Sequence, residues 1–263
     1  MKILIKLGGT LLDAADSRNR LAREIAAAHG AGHCITVVHG GGKQMTRFLA
    51  EKGIESKFVN GLRVTTPDVV DAVLKVVAGS VNQELVAALI AAGCSAVGLT
   101  GLDALLAEAE QMSPELGAVG RIVRSDARIL DVLVAQQYVP VVACVAGDRN
   151  GHIYNVNADQ MAARCAAAFG AAKLLFLTDV AGVRGPDDEI RETLTIDECG
   201  RLISTGVATG GMQAKLNAAM DALELGAAEV SIAAGALPGV IEKLISGEPV
   251  GTRLLAAAGV ARG

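Results

Sequence analysis

The amino-acid sequence predicts an α/β protein, a three-layer αβα sandwich around a central, mainly parallel sheet. Short apolar runs typical of buried strands alternate with longer segments of helical periodicity, the order from which parallel sheets are built. The chain has 263 residues, of which 51% are hydrophobic, enough for a substantial core. Aromatic residues make up only 2%, which disfavours the stacking platforms that bind single-stranded nucleic acid.

The charge balance points away from nucleic acids and membranes. With 24 basic and 28 acidic residues the net charge is −4, so a phosphate-backbone binder is not expected, although a local basic pocket can still hold a small anion. The longest uncharged stretch, residues 85–102, is broken by glycines and a serine and is interpreted as a helix end, a turn and a buried strand. The amino terminus lacks the apolar run of a signal peptide, so a cytoplasmic protein without a membrane partner is expected.

The first elements follow the strand, helix, strand, helix order of a parallel sheet. Apolar residues that recur at helical spacing predict one helix that ends near Gly30, and glycine turns follow each strand. The predicted segments are a strand at 2–7 ending at Gly8-Gly9, a strand at 35–38, the turn His39-Gly40-Gly41-Gly42, and a helix at 43–52.

Two hairpins interrupt this order. Asn60-Gly61 is a strong type I′ turn signal between two short apolar runs. Thr66-Pro67 then predicts a capped start for a long helix that runs to about Ala92. The polar segment 148–151 predicts a second hairpin, between strands at 141–143 and 152–154.

The remaining chain returns to alternating helices and strands. Thr195 and Glu198 have the spacing of a capping box, which places a helix start near residue 196. The change in loop character predicts a boundary between two lobes near residue 172. The other predicted segments are a helix at 158–169 closed by Gly170, a strand at 173–177, a polar loop at 179–188, a helix at 212–225 and a strand at 230–232.

Cysteine and histidine spacing gives no metal site. The five cysteines are scattered without a C-x-x-C pair, which is typical of buried free thiols. His29 and His33 have the spacing of helical metal ligands, but the glycines between them favour a surface turn.

Four segments carry side chains or turns suited to phosphoryl chemistry. Each lies where a strand or hairpin gives way to a turn or helix, and ligands of open α/β sheets bind at the carboxyl ends of strands. Glycine N–H groups and a helix amino terminus favour an anion such as a phosphoryl group. The dinucleotide and P-loop fingerprints are both absent from the sequence. The four segments are Lys6-Leu7-Gly8-Gly9, His39-Gly40-Gly41-Gly42, Asn155-Val156-Asn157-Ala158-Asp159, and residues 210–215.

Lys6 and Lys215 are the candidates for neutralising a transferring phosphoryl group, with Asp159 to hold them. Each feature taken singly also has a plain structural interpretation. A lysine at a strand end is usually solvated, a double glycine is usually only a turn, and Arg63 after a hairpin is most often a surface residue. The two asparagines and Asp159 would then only cap a helix.

Taken together, the order and spacing of these motifs resemble the amino-acid kinase family and, within it, the acetylglutamate kinases. The resemblance runs essentially from end to end, and the Asn-Gly-Leu-Arg-Val-Thr stretch is the part most particular to acetylglutamate kinases. The matching stretches are Lys6 to Gly9, His39 to Gly42, Asn60 to Thr65, Asn155 to Asp159, Leu177 to Gly182, Gly211-Met212 with Lys215, and Gly251 to Arg253.

The resemblance implies the carbamate kinase-like fold and ATP-dependent phosphorylation of the γ-carboxylate of N-acetyl-L-glutamate, a step of arginine biosynthesis. Lys6 and Lys215 would stabilise the transferring group and Asp159 would orient both. Arg63 and Asn155 would bind the substrate together with Gly41 and Gly42, and Gly8, Gly9 and Asn157 would bind phosphate. Residues expected to line the ATP site are Asp179, Val180, Ala181, Gly182, Val183, Arg184, Val207, Ala208 and Thr209.

The resemblance also implies Mg²⁺ held mainly by ATP phosphates and water, no protein nucleophile, and a homodimer. It assigns the lobe at 1–172 to substrate binding and dimerisation and the lobe at 173–263 to ATP. Arginine-inhibited relatives carry an extra helix before the first strand, so an arginine-insensitive enzyme is expected here. Two stretches near Asp103 and Cys144 depart from the family pattern within the expected substrate lobe. Two alternatives stay open: another acceptor, such as an aminoadipate or carrier-bound glutamate derivative, or a non-catalytic sensor of nucleotide or amino acid.

Overall fold

A computed structural model describes residues 1–255 and contains a central sheet of eight strands. The strand order is β12-β14-β13-β11-β1-β2-β8-β5. A second sheet has the order β10-β9-β6-β7, and β3 pairs with β4. The strands are β1 Lys2–Leu7, β2 Cys34–His39, β3 Phe58–Val59, β4 Leu62–Arg63, β5 Ala96–Thr100, β6 Ala107–Gln111, β7 Gly120–Ser125, β8 Val139–Ala143, β9 Val145–Gly147, β10 Ile153–Asn155, β11 Lys173–Thr178, β12 Thr193–Thr195, β13 Glu229–Ala234 and β14 Thr252–Leu255.

Helices cover both faces of the central sheet. Helix α1 packs on α4 and α9, whereas α6 packs on α5 and α8. The predicted αβα sandwich is therefore confirmed. The helices are α1 Ala15–Gly30, α2 Gly42–Glu51, α3 Pro67–Ala72, α4 Asn82–Ala91, α5 Arg128–Ala135, α6 Ala158–Phe169, α7 Ile196–Ser204, α8 Gly210–Glu224 and α9 Val240–Ser246.

Parallel pairing aligns the carboxyl ends of the central strands. Strand β1 lies between β2 and β11 and is parallel to both, with Leu7 opposite His39 and Leu177. Only β12 and β14 run against the other strands. Because β1 is covered on both faces, Ile3, Leu4 and all its later residues are buried, and the turns that follow β1, β2 and β11 meet at one edge.

The first predicted hairpin is confirmed and the second needs a correction. Asn60 and Gly61 both have positive φ, 49° and 78°, as a type I′ turn requires, and join β3 to β4. The second turn joins β10 to β9, whereas residues 141–143 belong to β8, which pairs with β2 and β5 in the central sheet. The apolar run 139–147 is thus two strands, separated at Cys144.

The predicted long helix is continuous from Pro67 to Ala91 but changes its winding. Its middle, Val73–Val81, is π-helical, a form that is rare and is frequent at functional sites. Thr66 stands at the N-cap position, yet its side chain makes no capping bond. The run is long and apolar enough to cross a membrane, but half of its most apolar window is buried in the fold, as in a core helix.

Several local predictions in the second half are confirmed. Gly170 ends α6 in the left-handed conformation, and a complete capping box of Thr195 and Glu198 begins α7. All five cysteines are free thiols, and only Cys34 is not fully buried. The strands from residue 173 onward occupy one half of the central sheet; the division into two lobes at residue 172 stays a prediction.

The capping box predicts a measurable difference between two threonines at N-caps. Thr195→Ala removes the acceptor for the Glu198 N–H and should lower the free energy of unfolding by about 1 kcal/mol. Thr66→Ala is the matched control, because it removes no capping bond, and should change stability by only a few tenths. Urea unfolding of both variants tests this, and equal losses would contradict it.

Candidate active site

A cavity of about 250 Å³ opens at the carboxyl edge of the central sheet. Polar and glycine residues from three of the four chemistry-bearing segments line it together with apolar side chains and residues of the first hairpin; residues 210–215 lie outside its wall. The sequence-predicted residues in its wall are Lys6, Gly9, Gly41, Gly42, Arg63, Asn155, Asn157 and Asp159; the others are Gly40, Met45, Phe58, Gly61, Leu62, Val77, Val119, Cys144, Val156 and Ala158.

Asp159 holds two lysines, one on each carboxylate oxygen. Lys6 Nζ lies 2.6 Å from Oδ1 as an ion pair that lacks hydrogen-bond alignment, and Lys215 Nζ donates to Oδ2 at 3.3 Å. All three side chains are largely withdrawn from water, with 7%, 16% and 8% of Lys6, Lys215 and Asp159 exposed. The structure thus brings together the three residues that the sequence predicts for phosphoryl transfer.

The two ammonium groups keep Asp159 charged. Burial alone would raise the pKa of this carboxyl, but the charges of Lys6 and Lys215 outweigh it and hold the pKa below its ordinary value. One carboxylate faces two cations, so the cluster carries net positive charge that a bound anion can balance. Such a cluster is better suited to binding a phosphoryl group than to transferring protons.

Helix α6 fixes where Asp159 lies. Asn157 is its N-cap, and its Oδ1 accepts hydrogen bonds from the backbone N–H of Asp159 at 2.8 Å and of Gln160 at 3.2 Å. The capping role considered for Asn157 is therefore present, and the residue lines the cavity as well. Asn155, at the end of β10, donates its amide to Thr65 Oγ1 at 3.1 Å.

The two glycine turns approach each other across the cavity floor. A Cβ on Gly9 would lie 3.3 Å from the backbone nitrogen of Gly42, and one on Gly41 would lie 3.1 Å from Val77 Cγ2. Gly42 begins α2, whose first N–H groups have no partner within the helix. Small residues therefore let two backbone segments and a helix amino terminus face one small anion.

Arg63 is a nearly buried cation without a counter-charge. Its guanidinium donates to Ser56 Oγ, to Thr46 Oγ1 at 2.7 Å and to the Gly42 carbonyl at 3.2 Å. Within residues 1–255 it forms no ion pair, and 9% of the residue is exposed. Burial lowers the pKa of the guanidinium, which still stays charged at neutral pH. This cation is available to an anionic ligand in the cavity.

The residues predicted for ATP lie outside this cavity. Lys215 connects to it through Asp159, and Gly8, after β1, donates its N–H to Leu177 O at 3.0 Å. In the loop after β11, Asp179, Val180 and Ala181 are exposed, whereas Gly182 and Val183 are buried. Arg184 points to Asp188, with which it forms an ion pair at 3.3 Å. Val207 and Thr209 are exposed and flank buried Ala208, just before α8.

Sequence reasoning missed three residues of this site. Thr46 and Ser56 bind the Arg63 guanidinium. Neither belongs to a sequence motif that would indicate this role. Cys144 lines the cavity wall, and burial raises the pKa of its thiol to about 11, so it is a neutral packing group at physiological pH. Cys144 lies in the break between β8 and β9, within the stretch whose sequence departs from the family pattern.

The donor set does not form a protein Mg²⁺ cage. In the part of the chain that the structure describes, no group of three or more metal-ligating side chains comes together. Both oxygens of Asp159 already contact lysines. Hard cations such as Mg²⁺ need several free oxygen ligands, and these residues do not provide them.

Known proteins match most of this chain. The model of the amino acid kinase family matches residues 1–234. The chain belongs to the amino acid kinase family. An acetylglutamate kinase from Solibacter usitatus (strain Ellin6076) is 63% identical over 257 residues, covering 98% of this chain and 100% of that protein. An acetylglutamate kinase from Acidobacterium capsulatum is 44% identical, covering 97% of this chain and 100% of that protein.

A solved structure supports the same fold. N-acetylglutamate synthase from Neisseria gonorrhoeae, complexed with coenzyme A and N-acetyl-glutamate, matches with a TM-score of 0.87 and 25% identity. The match covers 98% of this chain and 60% of the synthase chain. The amino-acid kinase fold expected from the sequence is therefore confirmed over almost the whole chain.

The charge cluster predicts a large effect of Asp159→Asn on stability. Removing one partner of a buried ion pair costs about 3–5 kcal/mol, whereas Asp131→Asn breaks only the exposed pair with Lys2 and should cost at most about 1 kcal/mol. Because the folded-state pKa of Asp159 is lowered, its contribution is present at neutral pH and is lost as the pH falls below about 3.9.

Urea unfolding of wild type and both variants at neutral and acid pH measures this. The difference in the free energy of unfolding between wild type and Asp159→Asn should become smaller at acid pH. Equal effects of the two substitutions at neutral pH would show that the cluster does not behave as a buried ion pair.

Proposed function

We propose that the protein phosphorylates the γ-carboxylate of N-acetyl-L-glutamate with ATP, as an enzyme of arginine biosynthesis. The observation that carries this is the cavity lined by Lys6, Asp159 and Arg63, in which Asp159 also holds Lys215 and the nearly buried Arg63 has no counter-charge among residues 1–255. The names of relatives at 63% and 44% identity over the full chain give the same acceptor.

Two sets of residues in the cavity wall support this acceptor. N-acetylglutamate has two carboxylates, one to react and one to be held. Arg63, with donors in a planar fork, is suited to bind the carboxylate that does not react. Asn155, whose amide already contacts Thr65, provides neutral hydrogen bonding for the acetylated amino-acid end. The reacting γ-carboxylate then lies toward Lys6 and the two glycine turns.

Phosphoryl transfer here needs positioning and charge neutralisation, not a protein nucleophile. A γ-carboxylate oxygen attacks the γ-phosphorus of ATP in line. The new O–P bond forms as the bond from that phosphorus to the β,γ-bridging oxygen breaks, which gives an acyl phosphate and ADP. Lys6 stabilises charge on the carboxylate side and Lys215 on the nucleotide side, while Asp159 keeps both ammonium groups in place.

ATP binds on the half of the sheet that carries β11 and β13. The exposed backbone of Asp179 to Ala181, and Val207 to Thr209 before α8, line the nucleotide site together with Gly182, Val183 and Arg184. Mg²⁺ arrives with the nucleotide and is held by phosphate oxygens and water, in keeping with the absence of a carboxylate cage among residues 1–255. Gly8, Gly9 and Asn157 contribute contacts to the phosphate.

The assembly and setting follow from the family resemblance. The enzyme acts in the cytoplasm as a homodimer, and it has no nucleic-acid or membrane partner. The pI near 5.6 supports the last point.

Trapping the product tests the proposed activity. With ATP and hydroxylamine, purified protein should form hydroxamate from N-acetylglutamate and much less from glutamate, N-acetylaspartate or N-acetylaminoadipate, because glutamate lacks the acetyl group and the other two differ by one methylene in the separation of their carboxylates. Preference for another acceptor would redirect the proposal to a related substrate. ATP binding without product from any acceptor would favour a non-catalytic sensor.

Lys215→Ala should lower kcat by at least about a hundredfold, since it removes charge that counts most in the transition state. Its matched control is Lys43→Ala, which deletes an exposed lysine that follows Gly42 but does not line the cavity. Steady-state kinetics of both variants, with stability measured in parallel, gives the comparison. Full activity of Lys215→Ala would remove this lysine from the mechanism.

A further inference from the structure

His39 is a fully buried titratable side chain that has no role in the mechanism above. It ends β2 and directly precedes Gly40, Gly41 and Gly42. Its ring has no exposed surface, and burial lowers its pKa to about 4 against a hydrogen bond to Gly40 that raises it. The imidazole is therefore neutral at physiological pH and cannot serve as a cationic phosphate ligand.

The hydrogen bonds around His39 fix its tautomer. Nδ1 lies 2.8 Å from the carbonyl oxygen of Gly40, which can only accept, so Nδ1 carries the proton. On the other side, Nε2 lies 2.9 Å from Nδ2 of Asn82. That amide orientation is set by a second bond, since Asn82 Nδ2 also donates to the Val141 carbonyl at 2.9 Å. His39 Nε2 is thus the acceptor.

The unusual winding of the long helix places Asn82 for this contact. Asn82 is the first residue after the π-helical segment and is 1% exposed. A Cβ on Gly98 would lie 2.1 Å from Asn82 Oδ1, so the neighbouring strand leaves room for this amide. From the same segment, Val77 and Val81 pack against Gly41. One helix therefore supports both the histidine and the glycine turn.

We propose that His39 is a positioning residue that fixes the Gly40–Gly41 peptide through its Nδ1–H. In a planar trans peptide, the carbonyl of Gly40 and the N–H of Gly41 point in opposite directions. Holding the carbonyl against His39 therefore aims the Gly41 N–H away from the ring, toward the cavity that Gly41 lines. There this N–H donates to the reacting carboxylate–phosphoryl group, an inference that rests on the proposed function.

Two amide substitutions separate the two nitrogens of the ring. In His39→Asn the side-chain nitrogen stands two bonds from Cβ, as Nδ1 does, and can still donate to Gly40. In His39→Gln the amide stands three bonds from Cβ, as Nε2 does, and keeps the partner of Asn82 but not the donor to Gly40. Both lose ring packing, and His39→Asn leaves the larger cavity by one methylene, so a packing effect alone would harm His39→Asn more than His39→Gln.

The expected result is a difference in kcat, with KM little changed, because the Gly41 contact strengthens as charge develops in the transition state. His39→Asn should stay within about threefold of wild type and His39→Gln should fall about tenfold or more, if a lost positioning bond is worth about one hydrogen bond. Equal losses in the two variants, or a loss confined to KM, would overturn the proposal.

Crystal structures of the two variants test the same claim without turnover. The Gly40–Gly41 peptide should keep its orientation in His39→Asn and rotate in His39→Gln. An unmoved peptide in His39→Gln would overturn the positioning role. A wild-type protein that is inactive on N-acetylglutamate would refute the proposed function only, since the peptide orientation would still decide the role of His39.

Discussion

The carboxylate of Asp159 is the interaction on which the rest of the site depends. It connects β1, through Lys6, with α8, through Lys215, and is itself placed by the capped start of α6. Without it, two nearly buried ammonium groups would repel each other at the centre of the molecule. Because a single carboxylate cannot neutralise two cations, the cluster is satisfied completely only when an anion binds beside it.

The residues around this positively charged cluster provide further groups that can bind an anion. Glycines let the backbone of two turns come close, so that N–H groups and the start of α2 face the same anion. The buried, uncharged pair of His39 and Asn82 stiffens one turn without adding charge. Arg63, held by two hydroxyls and a carbonyl, adds a second anion-binding point in the cavity wall. The site is thus organised for a molecule with two separated negative groups.

Local signals in the sequence predict much of this arrangement. The Asn60-Gly61 turn, the Gly170 helix end and the Thr195 capping box depend on residues near in sequence, and all three are present. The meeting of Lys6, Asp159 and Lys215 was predicted from the motifs and the family resemblance. The ends of parallel strands account only for Lys6, because Asp159 lies in the first turn of α6 and Lys215 lies within α8. The continuous apolar run 139–147, in contrast, gives no sign of the break at Cys144 that sends its two parts to different sheets.

Other features depend on contacts that no local pattern records. The sequence predicts a helix over residues 67–91, but no local signal marks the π winding at Val73–Val81, a segment that packs against the glycine turn at Gly41. Strand β6 alternates alanine with glutamate, and alanine gives too little contrast to mark a buried face. The hydroxyls that hold Arg63 come from separate segments, α2 and the loop before β3.

The most direct test of the account is a crystal structure of the protein with ADP, aluminium fluoride and N-acetylglutamate, which together imitate the transferring phosphoryl group. The account predicts that Lys6 and Lys215 both contact the fluoride ligands while each still touches Asp159, and that Arg63 binds the carboxylate remote from the metal fluoride. A complex in which either lysine points away from the fluoride, or in which Asp159 has released both, would contradict the central role given to this carboxylate.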